Sequence, residues 1–191
     1  MPIFAEKTHI DFDTLGISLV EMECNHFGLL DKLLSGFGIP HAVMSDRDAL
    51  MGIARGRIEC KTVKTKTSPV FCSLSKANHL TTDDEKKISD AQSKILKVGD
   101  KETYPNKLFE ELRDIAELHN VYVLSSNFEG VLKQQGYTKL LKKASSIANS
   151  KVIQGRFVAE EIVKNNKEIP SEFLTVLSVL KEFVTPLVKS S

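Results

Sequence analysis

Residues 36–52 read GFGIPHAVMSDRDALMG, and the fold class is inferred from this segment first. Its centre, His41 to Met44, is a short apolar run that predicts a buried strand. Asp46 and Asp48 follow almost at once, so two carboxylates stand at the end of that strand. Either a solvated turn or a metal site accounts for carboxylates in this place.

The segments around this strand predict parallel pairing. Residues 17–23, ISLVEME, alternate in polarity and favour an earlier strand, and residues 27–38 have the apolar spacing of a helix. A strand, a helix and a second strand in succession predict a βαβ unit with parallel strands and a right-handed crossover. Residues 121–126, VYVLSS, predict a third strand.

Helical patterns dominate the rest of the chain. The fold class is therefore α/β, with an incomplete parallel sheet of about three to four strands flanked by helices, and with a helical C-terminal portion. The predicted domains are residues 1–150, in which residues 57–83 form a polar excursion or loop, and residues 151–191. The last helix is expected over 171–188, with one buried stripe: Phe173, Val176, Leu177, Leu180 and Val184.

Composition limits the classes of partner. Hydrophobic residues make up 41% of the chain and charged residues 27%, as in folded globular proteins. A net charge of +1 provides no global attraction to nucleic acid or to a membrane surface, so such binding needs a local patch. Without a leader pattern, an apolar span or a metal-type cysteine spacing, we expect a cytoplasmic protein with no membrane partner and with reduced thiols at Cys24, Cys60 and Cys72.

A third carboxylate, Glu129, follows the last predicted strand in SSNFEG. If the strands are neighbours, Asp46, Asp48 and Glu129 meet at one sheet edge, where sites of parallel α/β proteins lie. Oxygen ligands suit Mg²⁺ or Mn²⁺, and such ions support hydrolysis or transfer at phosphate. The structural alternatives are a helix cap at Asp48 and a first-turn glutamate favoured by the helix dipole at Glu129.

Four segments in order carry a family resemblance. They are PIFAEKTHIDFDTLGISLVEME, FGIPHAVMSDRD, NVYVLSSNFEGVLK and SKVIQGRFVAEEIVKNNKEIPSEF, and the D-x-D after a strand is their central motif. Together they resemble the Toprim domain of overcoming-lysogenization-defect (OLD) family ATP-dependent endonucleases over nearly the whole chain. The resemblance implies a Toprim-like sheet and metal-dependent hydrolysis of DNA phosphodiester bonds, with two Mg²⁺ or Mn²⁺ ions in the complete site.

The same resemblance implies residue roles. Asp46 and Asp48 correspond to the D-x-D metal ligands, and Glu129 to an acidic residue that helps to hold a second ion. Lys151 matches a lysine near the scissile phosphate, where a cation stabilises developing charge. Arg47 and Arg156 are weaker candidates for DNA contact. The run LLKKAS, with Lys133 and Lys139, is either a solvated helix face or a contact to a DNA backbone.

The resemblance also implies partners and a truncation. The family places an ABC-type ATPase domain upstream of the Toprim nuclease, DNA is the substrate, and a homodimer is a further option. Family members begin with a strand ending in glutamate, and PIFAEK matches the helix after it, so we expect a C-terminal fragment without the first Toprim strand. The alternative function is a catalytically degenerate Toprim that acts as a DNA- or protein-binding module.

Overall fold

Two short strands pair in parallel within the described residues, as an α/β fold class predicts. The computed structural model describes residues 1–20, 27–51, 68–98 and 106–188. Its elements in chain order are α1 (Pro2–Lys7), α2 (Gly28–Gly36), β1 (Val43–Ser45), α3 (Arg47–Met51), α4 (Pro69–Lys76), α5 (Thr82–Val98), α6 (Asn106–Glu117), β2 (Val121–Val123), α7 (Phe128–Gln134), α8 (Thr138–Ile147), α9 (Lys151–Lys164) and α10 (Ser171–Val188). The α/β class with an incomplete parallel sheet and a helical C-terminal part is thus confirmed.

Strands β1 and β2 lie side by side in parallel, with Val43 opposite Val121 and Ser45 opposite Val123. Their ends are joined by backbone bonds: the N–H of Val43 donates to the Asn120 carbonyl and that of Leu124 to the Ser45 carbonyl, each at 2.9 Å. The carboxyl ends of both strands therefore lie together, which is the arrangement that a site at this edge requires.

The first predicted strand is wrong over its described part. Residues 17–20 lie outside any strand, and Leu19 and Val20 are 50% and 68% exposed. Residues 21–23 of that prediction lie outside the described residues. Alternating β-branched residues favour a strand only where a neighbouring strand accepts their backbone hydrogen bonds and packs their side chains.

The chain forms two compact units. Unit 1 comprises Met1–Val20 and Ser126–Ser191, and unit 2 comprises Glu21–Ser125. The predicted division at residue 150 stays a prediction.

Unit 2 packs its helices and the sheet around one hydrophobic core. Helix α6 contributes Leu108 and Leu112, which are buried as its periodicity predicts. Leu118 has the same spacing but follows the end of the helix at Glu117, and its side chain is 76% exposed.

Part of the predicted polar excursion is helical. Residues 57–67 lie outside the described residues, but residues 69–76 form α4, so the expectation of a loop is corrected there. The Ser68 hydroxyl accepts the N–H of Phe71 as an N-cap, and Pro69 occupies the first turn. Phe71 and Leu74 are fully buried, so α4 is a core helix although the sequence before it is rich in threonine and lysine.

Unit 1 is helical and joins both ends of the sequence. Phe173 of α10 is fully buried between two rings, with centroids 5.7 Å from Phe4 and 5.2 Å from Phe128. The predicted last helix is confirmed, with Val176 and Leu177 buried beside Phe173, and Leu180 is half-buried. The side chain of Val184 lies outside the described part. Within the described ranges, no helix is both long and apolar enough to cross a membrane.

Candidate functional site

Two exposed carboxylates follow β1. Asp46 is the residue after the strand, and Asp48 lies in the first turn of the five-residue helix α3. Ala49 and Leu50, on the other side of that helix, are 2% and 0% exposed. Mg²⁺ commonly binds through one or two carboxylates and keeps several waters, so this donor set suits Mg²⁺ or Mn²⁺.

Arg47 lies between these carboxylates but points into unit 2. Its guanidinium carbon lies 4.2 Å from the ring centroid of Phe109, a fully buried residue of α6. Its Nη1 donates to the carbonyl of Ser125 at 3.2 Å. Arg47, which the resemblance suggests as a DNA contact, therefore contacts two residues of its own unit.

The structure brings Glu129 and Lys151 together in unit 1. Asn127 caps α7 by accepting the N–H of Gly130 at 2.8 Å, and this cap places Glu129 in the first turn of the helix. Lys151, the first residue of α9, donates its Nζ hydrogen to Glu129 Oε1. Both side chains face solvent, Lys151 at 73% and Glu129 at 36% exposure, so the pair is open to a ligand.

The predicted site residues are divided between the units. Asp46 and Asp48 belong to unit 2, whereas Glu129 and Lys151 belong to unit 1. Among the residues that the structure describes, no three His, Cys, Asp or Glu side chains are grouped as ligands of one ion. The convergence of the three carboxylates stays a prediction. Arg156 is exposed and pairs with Glu160 of its own helix at 2.8 Å.

A buried carboxylate in unit 2 was not anticipated from the sequence. Asp31 of α2 is 5% exposed, and its two oxygens lie 2.7 Å from His41 Nε2 and 2.8 Å from His79 Nε2. The His79 ring in turn stacks on His119 at 6.0 Å between centroids. The separations of these four residues along the chain follow no ligand or helical spacing, so no sequence signal could have found the cluster.

A cavity of about 660 Å³ lies within the first 20 residues of unit 1. It is lined by one continuous segment that includes Glu6, Asp11 and Asp13. The Thr14 hydroxyl and backbone N–H bond to Asp11 and hold the pKa of that carboxyl below its usual range. These contacts form a local turn, and the cavity contains none of the residues predicted for the site.

The first part of the chain matches a known family. Residues 1–48, which are 48 of 191 residues, match the family described as "Overcoming lysogenization defect protein-like, TOPRIM domain". The match ends at Asp48, so it includes both carboxylates that follow β1. The predicted resemblance is confirmed over these residues. Comparisons with curated proteins and with solved structures gave no match.

Proposed function

We propose that this chain is a Toprim nuclease domain of OLD type that hydrolyses DNA phosphodiester bonds with a divalent cation. One observation carries the proposal: Asp46 and Asp48 stand exposed at the carboxyl end of a parallel strand, within the residues that match the Toprim family. Parallel α/β sheets bind their ligands beyond this end of the strands.

Each residue then has a definite task. Asp46 and Asp48 would hold Mg²⁺ or Mn²⁺, and Glu129 would be a ligand of a second ion. A bound ion of this kind neutralises phosphate charge and makes a bound water more acidic, which is what hydrolysis requires. The Lys151 ammonium is exposed beside Glu129, so it can meet a phosphate oxygen and stabilise negative charge there.

Metal binding provides the first test. A ligand that binds only the folded protein raises its unfolding temperature, so millimolar Mn²⁺ should stabilise the chain. We expect Asp46→Asn and Asp48→Asn to abolish this shift. Asp90→Asn, at an exposed aspartate of α5, is the matched control and should retain it. A parent chain that millimolar Mn²⁺ does not stabilise would contradict the metal site.

Cleavage provides the second test. We expect weak nicking of supercoiled plasmid in Mn²⁺ and less in Mg²⁺, because a net charge of +1 offers little non-specific attraction to DNA. Nicking should disappear in Asp48→Asn and persist in Asp90→Asn. Activity that survives in Asp48→Asn would assign the cleavage to something other than this site.

A second candidate is a Toprim that binds DNA without cutting it. Residues 130–159 contain six Lys or Arg and no Asp or Glu, a local bias that the net charge conceals. Lys139 and Lys142 are exposed on α8, where a phosphate backbone can reach them. DNA binding in EDTA that weakens with salt and with Lys139→Gln/Lys142→Gln, together with no metal-dependent stabilisation or nicking, would favour this module.

A further inference from the structure

Helix α3 carries the proposed ligand Asp48 and has five residues in the described part of the chain. Helices in proteins gain most of their stability from tertiary packing and little from their own propensity. The position of α3 therefore depends on contacts with the rest of unit 2: the buried Ala49 and Leu50, the Ser68 hydroxyl that donates to the Ala49 carbonyl at 2.9 Å, and Arg47.

Arg47 connects the ends of the two strands. At the ends of the two strands, the Leu124 N–H donates to the Ser45 carbonyl. One step further, Arg47 Nη1 donates to the Ser125 carbonyl, and the same guanidinium lies over Phe109 of α6. The backbone between Ser45 and Asp48 is thereby held to the end of β2 and to α6.

The direction of Arg47 also fixes that of its neighbours. Successive helical residues are rotated by about 100° around the helix axis, since 3.6 residues make one turn. With Arg47 and Leu50 directed into unit 2, Asp48 faces solvent, as its exposure shows. A change in the rotation of α3 would move the Asp48 carboxylate relative to that of Asp46.

We propose that Arg47 is a positioning residue that holds Asp46 and Asp48 in the arrangement that binds the cation. The inference rests on the proposed function, in which these carboxylates are the metal ligands. It assigns Arg47 a task inside unit 2 instead of a contact with DNA. Removing a residue that orients metal ligands typically lowers metal affinity about 10- to 100-fold.

The positive charge of Arg47 affects Mn²⁺ affinity in the direction opposite to its positioning of the carboxylates. The sign of the change in affinity therefore distinguishes the two effects. A positive charge close to a cation site repels the cation, so its removal alone should tighten Mn²⁺ binding. Loss of positioning should instead weaken it.

The experiment is calorimetric titration of the 191-residue chain with Mn²⁺, under conditions where circular dichroism shows every variant to be folded. We expect Arg47→Met to weaken Mn²⁺ binding about tenfold or more. Arg113→Met is the matched control, because Arg113 contacts the same Phe109 ring at 5.8 Å but pairs with Glu110 and Glu117, and its Mn²⁺ affinity should equal that of the parent.

Arg47→Lys keeps the charge but lacks the planar fork of donors. It should also weaken Mn²⁺ binding, and it replaces Arg47→Met in the comparison if that variant does not fold. An unchanged or tighter Mn²⁺ affinity in the folded Arg47 variants would overturn the inference alone. Parental Mn²⁺ binding that is absent, or that Asp48→Asn does not reduce, would overturn the proposed function and the inference with it.

Discussion

Position 28 has no room for a methyl group. A Cβ built on Gly28 of α2 would lie 2.5 Å from the carbonyl oxygen and 2.8 Å from the Cα of Ser73 in α4. Both are backbone atoms and cannot rotate away. We expect Gly28→Ala to force the two helices apart and to lower the free energy of unfolding by about 1–3 kcal/mol, as measured by urea denaturation.

Gly36 of the same helix is the control for this prediction. No atom lies within 4 Å of a Cβ built there, so Gly36→Ala should leave stability unchanged or raise it by up to ~1 kcal/mol through helix propensity. Equal losses in the two variants would show that close packing of α2 on α4 is not the cause.

The residues of the candidate site differ in how well their positions and partners can be predicted from the sequence. Asp46 and Asp48 could be placed at a strand end, because the short apolar run and the residues that directly follow it are local features of the sequence. The partners of Arg47 could not be predicted, since Phe109 and Ser125 follow it by more than 60 positions and only the folded chain brings them together. The same holds for Asp31 and His79.

Helix α5 begins with a reciprocal cap. The Thr81 hydroxyl accepts the Asp84 N–H at 3.1 Å, and Asp84 Oδ2 accepts the Thr81 hydroxyl at 2.7 Å and its N–H at 3.0 Å. This is the capping-box arrangement. The Thr81 side-chain and backbone hydrogen bonds, and then the charges of His119 and Lys87, lower the pKa of Asp84 despite partial burial.

A lowered carboxyl pKa predicts acid sensitivity. Because the folded-state pKa of Asp84 lies below the unfolded value of about 4, its contribution to stability is complete above that value and is lost as the pH falls through the folded pKa. Thr81→Val removes the largest cause, so its free energy of unfolding should fall less than that of the parent between pH 5 and about pH 2. Thr82→Val, at the next position, should follow the parent curve; an acid limb in Thr81→Val as steep as in the parent would contradict the prediction.

Whole elements differed in how well their sequences predicted them. Helices α6 and α10 were predictable because each buries one continuous stripe, including Leu112 and Phe173. No strand forms over residues 17–20 of the strand expected from residue 17, because alternation in the sequence does not show whether a neighbouring strand is there to pair with. Helix α4 was missed because Phe71 and Leu74 lie close to a long polar stretch that dominated the pattern.

Across the whole molecule, unit 1 depends on residues far apart in the chain. Phe173 packs on Phe4 and Phe128, so Phe173→Ala should leave a cavity that costs about 3–5 kcal/mol in unfolding free energy. Hydrogen exchange should therefore accelerate in α1 as well as in α10. Peptide-level exchange measured by mass spectrometry would detect the change.

Leu174→Ala is the matched control for this variant. Leu174 is the next residue of α10 and is 37% exposed, so the exchange of α1 should stay at the parental rate. Acceleration confined to α10 in Phe173→Ala would show that the ring does not stabilise the N-terminal segment.

Because unit 1 is assembled from both ends of the sequence, its folding is tied to the timing of protein synthesis. Phe4 leaves the ribosome 169 residues before Phe173, which at about 5–20 residues per second is a wait of roughly ten to thirty seconds. All of unit 2 is translated within that interval. The apolar segment around Phe4 therefore lacks its partner ring until Phe173 of α10 emerges, and during that interval it is a candidate for chaperone binding.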